Sequence, residues 1–164
     1  MNPNNDFTHF DTNGNARMVD VGDKPTTERM AVAQAQVNMK LETATLIQQR
    51  QLHKGDVLQV ARVAGIMAAK RTDELIPLCH SLNLSNAELE FDFITPTVLR
   101  ITSRVKTNGA TGVEMEALVA ASTAALTVYD MCKAVDRGMS INGLELIEKR
   151  GGKTGVWRRE SPSP

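Results

Sequence analysis

Residues 111–138 read TGVEMEALVAASTAALTVYDMCKAVDRG, and this stretch decides the fold. Thr111-x-x-Glu114 has the spacing of a capping box, in which two side chains satisfy free N–H groups at a helix start. From Ala117 to Tyr129 the run is apolar except for Ser122, Thr123 and Thr127. Arg137-Gly138 supplies a cation in the last turn and a glycine just beyond it. The spacing predicts one long helix from about Gly112 to Arg137. A helix apolar on nearly every side is buried on most of them, so more than a single sheet has to cover it, and other subunits are expected to cover part of the remainder.

Outward from this helix the elements fall into an order. Before it, Leu89 to Ile94 and Val98 to Val105 are β-rich and meet at Thr95-Pro96-Thr97, which predicts a hairpin. After it, Ile141 to Ile147 predicts a strand. Further upstream, Ala31 to Met39 alternates small or apolar residues with polar ones, the pattern of a half-buried strand. Leu41 to Arg50 suits a short helix. Asp56-x-x-Gln59 is a second capping-box spacing, followed by Val57, Val60, Ala61, Ala64 and Ala68 at helical intervals to about Arg71. Asp73 to Leu84, with Pro77, reads as a turn and loop. Strand, helices, hairpin, helix, strand is the order of the split β-α-β, or ferredoxin-like, arrangement. The fold class is therefore α+β, an antiparallel sheet with helices on one face. Phe7 to Asp11 and Ala16 to Val21 flank Thr12-Asn13-Gly14-Asn15, whose Asn-Gly predicts an N-terminal β-hairpin arm. Residues 7–157 are expected to form one domain, with residues 1–6 and 158–164 disordered.

The 164 residues carry nineteen basic and nineteen acidic side chains, and only 4% are aromatic. A zero balance and one Trp and one Tyr give no basic face or stacking platform for nucleic acid. No apolar run is long enough to span a bilayer, and the start lacks the basic and apolar regions of a secretory signal. Cys79 and Cys132 form no C-x-x-C pair, so two free thiols in the reducing cytoplasm is the expectation.

Several residues could carry chemistry. Asp130 and Lys133 share a helix face three residues apart. Spacing alone favours a solvated ion pair, but the apolar run before them argues for a partly dry acid–base pair. Glu114 already has a role in the capping box, whereas Glu116 has none. Glu116 and Asp130 are about 40° apart around the axis and roughly 21 Å apart along it. Both serve one site only if a neighbouring subunit completes it. Lys54, in His53-Lys-Gly-Asp56, precedes a helix start and is either an exposed lysine or an anion contact. Cys79 and His80 put a thiol and an imidazole in one loop, but no further ligands accompany them, so no metal site is expected. Lys106 to Gly112 runs into a helix start, a natural anion cradle. Gly151-Gly-Lys-Thr-Gly155 lacks the Walker spacing, because position 147 is Ile. With Lys149, Arg150 and Lys153 it still forms a basic cluster suited to a small anion.

The strings Met18-Val-Asp-Val, His53-Lys-Gly-Asp-Val, Ala69-Lys-Arg-Thr, Leu75-Ile-Pro-Leu-Cys-His80, Thr111-Gly-Val-Glu-Met-Glu-Ala-Leu118 and Ala124-Ala-Leu-Thr-Val-Tyr-Asp-Met-Cys-Lys-Ala134 occur in this order. Together, from about Phe7 to Gly155, they resemble the cyclic pyranopterin monophosphate synthase family of molybdenum cofactor biosynthesis, also called its protein C family. The resemblance implies a lyase that rearranges a 3′,8-cyclo-dihydroguanosine triphosphate to cyclic pyranopterin monophosphate and releases diphosphate. It implies a ferredoxin-like subunit in a homohexamer, a trimer of dimers with interface sites. Carried over by motif, Asp130 is the expected catalytic residue, with Lys54 and Lys133 as acid–base partners. Leu78, Cys79, His80, Met115 and Glu116 correspond to substrate contacts, and Arg29, Lys70, Arg71 and Lys149 to phosphate or pterin contacts. No bound cofactor is implied; Mg²⁺ is a companion the triphosphate could bring. Ser81 stands where the family often has Pro, and Gly22 where Ser is common. The competing reading is a non-catalytic nucleotide-binding module of the same fold.

Overall fold

Along the first strand, Ala31, Ala33, Ala35 and Val37 are all completely buried, and their two-residue period places them on one face. Three of the four are alanines, so whatever packs there approaches closely. The computed structural model describes residues 9–11, 13–50, 55–153 and 155–160. In chain order they form β1 (Thr27–Asn38), α1 (Leu41–Gln48), α2 (Val57–Ala69), α3 (Thr72–Leu75), β2 (Leu84–Thr95), β3 (Val98–Gly109), α4 (Glu114–Cys132), β4 (Ser140–Arg150) and β5 (Val156–Arg158).

The strands make one sheet in the order β2-β3-β1-β4-β5. Every pairing is antiparallel. Thus β1 and β2 run the same way with β3 between them, and β3 and β4 the same way with β1 between them. This is the ferredoxin-like arrangement with a short fifth strand at the β4 edge. Each of the two crossovers lays a helix on the same face of the sheet, α4 over the alanines of β1 and α2 beside it over β2. Ala117, Ala120, Ala121, Ala124 and Ala125 of α4 are fully buried there. Small residues on both surfaces explain how a chain with few aromatics closes its core. On the opposite face the edge strand β2 and its neighbour β3 carry charge, with Glu88 across from Arg104 and Asp92 across from Arg100.

Helix α2 lies beside α4 and runs antiparallel to it. The contact is tight at Gly65, where a Cβ would stand 2.9 Å from the carbonyl oxygen of Ala120. Part of the cover that the apolar run of α4 demands therefore comes from α2 within the same chain. What stays exposed is Leu126 of α4, with Val60, Val63 and Met67 of α2.

Both ends of α4 differ from the reading of its sequence. Its N-cap is Val113, with no side-chain cap. Glu114 opens the helix and gives its carboxylate to Lys149 at 2.8 Å, so a tertiary ion pair replaces the capping box. The helix stops at Cys132 rather than near Arg137. Val135 and Asp136 both return their N–H groups to the Cys132 carbonyl, at 2.9 and 3.0 Å. The Asp136 carboxylate, 2% exposed, accepts from Lys40 N (2.9 Å), Thr43 Oγ1 (3.3 Å) and Gly138 N (3.1 Å). Those bonds fix the turn and hold the start of α1 at once.

Elsewhere the strands outrun their expected limits. β1 begins at Thr27, β2 at Leu84, and β4 runs on to Arg150. The Asp73–Leu84 loop contains the single turn α3. Asp56 caps α2 through Gln59 N at 3.2 Å. In the expected N-terminal hairpin, Phe10 pairs antiparallel with Ala16. There Asp11 Oδ1 accepts from Asn13 N and Asn15 N, both at 2.8 Å, and Gly14 has a φ of +81°. Phe7, Thr8 and Thr12 lie outside the described residues, as do 1–6 and 161–164. Arg158 ends β5, and Arg159 N donates to Ile147 O at 2.9 Å.

Candidate active site

The two ends of α4 hold different chemistry. At its start a cavity of about 580 Å³ opens between the beginning of β1, the β3–α4 turn and the β4–β5 hairpin. Lys24, Arg29, Lys149, Arg150 and Lys153 line it, with Gly112, Gly151 and Gly152 among the backbone contributors. Arg29 is anchored by donating Nε to Gly109 O (3.3 Å) and Nη2 to Ala110 O (3.4 Å). Gly151 and Gly152 have φ values of +98° and +73°. A side chain on Gly152 would collide with the Arg29 guanidinium, and one on Gly151 with the Glu28 carbonyl. The glycines of this loop thus bring backbone and cation close together. Glu114 also lines the cavity and pairs with Lys149, and Arg150 pairs with Glu148; the remaining surplus of cations beside a helix start favours a small anion.

In the same first turn of α4 as Glu114, but not among the residues that line the cavity, Glu116 is 5% exposed. Burial lifts its pKa to about 7, and the charges of Glu114 and Asp73 add to the rise, against a lowering backbone hydrogen bond. A carboxyl that exchanges its proton near neutrality is suited to general acid–base work. The loop after α3 brings Cys79 alongside. Its thiol is raised by burial first, then by the charges of Glu116 and Asp73. His80 Nε2 lies 2.7 Å from Val19 O. A carbonyl only accepts, so Nε2 carries the proton in this contact. Leu78 and Met115 are half-buried, and Lys70 and Arg71 lie exposed where α2 ends, at the same end of the molecule.

At the other end of α4, Lys133 Nζ meets Asp130 Oδ1 at 2.6 Å. Their side chains are 52% and 59% exposed. The partly dry pair expected from the apolar run is not formed within one chain. Lys133 is raised by its hydrogen bond to Asp130 and by that charge, not lowered toward neutral by burial. The reason is geometric: the apolar run turns toward the sheet and α2, and the pair lies on the outward side. Lys54 lies outside the described residues.

The chain therefore gathers Arg29, Lys70, Arg71, Leu78, Cys79, His80, Met115, Glu116 and Lys149 at one end, and Asp130 and Lys133 at the other, roughly 21 Å away along α4. Lys24, Asp73 and the Glu114–Lys149 pair belong to the first group and escaped the sequence reading. Lys24 and Asp73 lie in irregular or single-turn segments without a periodic pattern, so only the folded chain shows where they point. Among the described residues no group of three or more His, Cys, Asp or Glu is placed to hold a metal ion. No helix among them is long and apolar enough to cross a membrane.

The profile of the MoaC family matches residues 18–152, most of the chain. The chain belongs to the MoaC family. Among its relatives, the cyclic pyranopterin monophosphate synthase of Chloroflexus aurantiacus is 60% identical over 159 residues, covering 94% of this chain and 96% of that protein. The synthase of the same name from Thermomicrobium roseum is 58% identical over 156 residues, covering 94% of each. That of Clostridium botulinum is 55% identical over 157 residues, covering 95% of this chain and 99% of its own. The matched region takes in both ends of α4, the Cys79–His80 loop and the start of the glycine hairpin.

Proposed function

We propose that this chain is a cyclic pyranopterin monophosphate synthase, a lyase of molybdenum cofactor biosynthesis. Its substrate is (8S)-3′,8-cyclo-7,8-dihydroguanosine 5′-triphosphate, and its products are cyclic pyranopterin monophosphate and diphosphate. The observation that carries the reading is the meeting, at one helix start, of a cation-lined cavity with a buried carboxyl that titrates near 7.

The chemistry asks for both. Opening the nitrogen-containing rings and reclosing them as a pterin needs repeated proton transfers, for which Glu116 has a fitting proton affinity. Closing the cyclic phosphate expels diphosphate, so charge grows on phosphate oxygens. Lys149, Arg29 and their neighbours stabilise that charge. Asp130, Lys133 and Lys54 have the catalytic and acid–base roles that their motifs imply. Because Asp130 cannot reach Glu116 in its own chain, the complete site joins the start of one α4 to the end of another. A homohexamer built as a trimer of dimers supplies such junctions, and the exposed Val60, Val63, Met67 and Leu126 are apolar surface of the kind that subunit contacts cover. The protein works in the cytoplasm on a small-molecule substrate.

The test is incubation of the purified protein with the cyclised guanosine triphosphate, following diphosphate and pterin together. The reading expects both in equal amounts. Tight binding of the triphosphate without diphosphate release would favour a nucleotide-binding module instead.

A further inference from the structure

Asp73 stands on α3, a single turn that could not hold itself together alone. It is fixed from below by Thr72, 2% exposed, whose hydroxyl reaches Ala68 O at 3.4 Å and Ala69 O at 3.1 Å. From that fixed turn, Asp73 Oδ2 accepts a hydrogen bond from Ser81 Oγ. Between the two residues runs the loop with Leu78, Cys79 and His80, which pairs with no strand. Its near end is tied by Ile76 N to Thr72 O (2.9 Å) and Cys79 N to Ile76 O (3.1 Å). Beyond Cys79, His80 leans on Val19 in an irregular segment, and Asn83 O accepts from Thr107 Oγ1 at 2.6 Å. Ser81 is thus the point at which the loop is drawn back onto the helical layer.

The same carboxylate acts through space. Asp73 raises the proton affinity of both Glu116 and Cys79. Among the described residues, other charged groups lie toward this end of α4. Glu114 on α4 is held by Lys149 of β4, and Cys79 lies in the loop. Arg29 of β1 is turned to the Gly109 and Ala110 carbonyls, and Lys70 and Arg71 at the end of α2 are exposed.

We propose that Asp73 is a positioning residue of this site: it tethers the Cys79–His80 loop through Ser81 and keeps a negative charge beside Glu116 and Cys79. Two substitutions separate these effects. Asp73→Asn keeps an oxygen that accepts from Ser81 but removes the charge. Ser81→Ala keeps the charge but cuts the tether.

Cys79 is half-buried and Cys132 fully buried, so iodoacetamide reads Cys79 in the intact protein. In Asp73→Asn the pH midpoint of alkylation moves acidward, on the order of a few tenths of a unit for one like charge removed from a partly solvated site. In Ser81→Ala the midpoint stays and the alkylation rate rises several-fold. The kinetic arm rests on the synthase reading. There Asp73→Asn shifts the Glu116 limb of kcat/KM acidward, and Ser81→Ala raises KM more than it lowers kcat. Alkylation behaviour unchanged from wild type in both variants, or a lowered Tm as the only change, overturns the proposal. Shifted alkylation in a protein that makes no diphosphate supports the positioning role and counts against the synthase reading alone.

Discussion

Glu116 keeps its proton to about pH 7 because water has been taken from it and two carboxylates lie nearby. A carboxyl raised from 4.5 to about 7 on folding binds more protons in the native state than in the unfolded chain throughout that interval. Its effect on stability is therefore most favourable below pH 4.5 and is lost as pH rises through 7, by up to about 3 kcal/mol. Glu116→Gln, which mimics the protonated form, is expected to match wild type in Tm at pH 5 and to exceed it at pH 8. Equal Tm differences at the two pH values would contradict this. The catalytic cost is separate: with no proton to exchange, the variant should lose most of kcat. At this scale the residue types were legible in the sequence and their surroundings were not. Glu116 stood out because nothing local occupied it. Asp130 and Lys133 were found as a pair, but their apolar neighbours along the chain turned out to face elsewhere.

Packing of α4 on β1 and α2 depends on small residues at each contact. Gly65→Ala would normally favour a helix by about 1 kcal/mol. Here the added methyl meets the Ala120 carbonyl, part of a helix backbone that cannot step aside alone. The expected result is a net loss of about 1–3 kcal/mol in denaturant unfolding, and a gain would contradict the close approach. Asp136 joins α1 to the turn after α4. Hydrogen bonds from Lys40 N, then Gly138 N and Thr43, hold its carboxyl below the usual carboxylate range against the opposing effect of burial. That contribution is complete above the ordinary pKa of 3.8 and disappears as pH falls through the lowered value. Asp136→Ala should cost about 2–3 kcal/mol at pH 7, from lost hydrogen bonds to a charge, with a smaller difference at pH 2–3. Element types followed from pattern: period two in β1, helical spacing in α2, and end signals around a long apolar run in α4. The ends of α4 did not, because they depend on residues distant in sequence: Lys149, paired with Glu114 at its start, and Lys40 and Thr43, which bind Asp136 just past its stop.

For the molecule as a whole, the order of elements was sufficient to give the sheet, since two crossover units joined by a hairpin leave little choice of topology. The fifth strand went unseen because Val156-Trp157-Arg158 is too short to show alternation. The end-to-end separation of Glu116 and Asp130 was also legible, since helix geometry fixes it. It has the largest consequence, because under the proposed function a single copy holds two incomplete halves of the site. The measurement that tests this most directly is diphosphate release by mixed oligomers. Glu116→Gln and Asp130→Asn proteins, each inactive alone, are unfolded together, refolded as mixtures and assayed with the cyclised guanosine triphosphate. If sites are shared, some junctions pair an intact α4 start with an intact α4 end, and the mixture regains part of the wild-type rate. A mixture as inactive as its two components, with mixed oligomers shown to have formed, would contradict a site built from two chains.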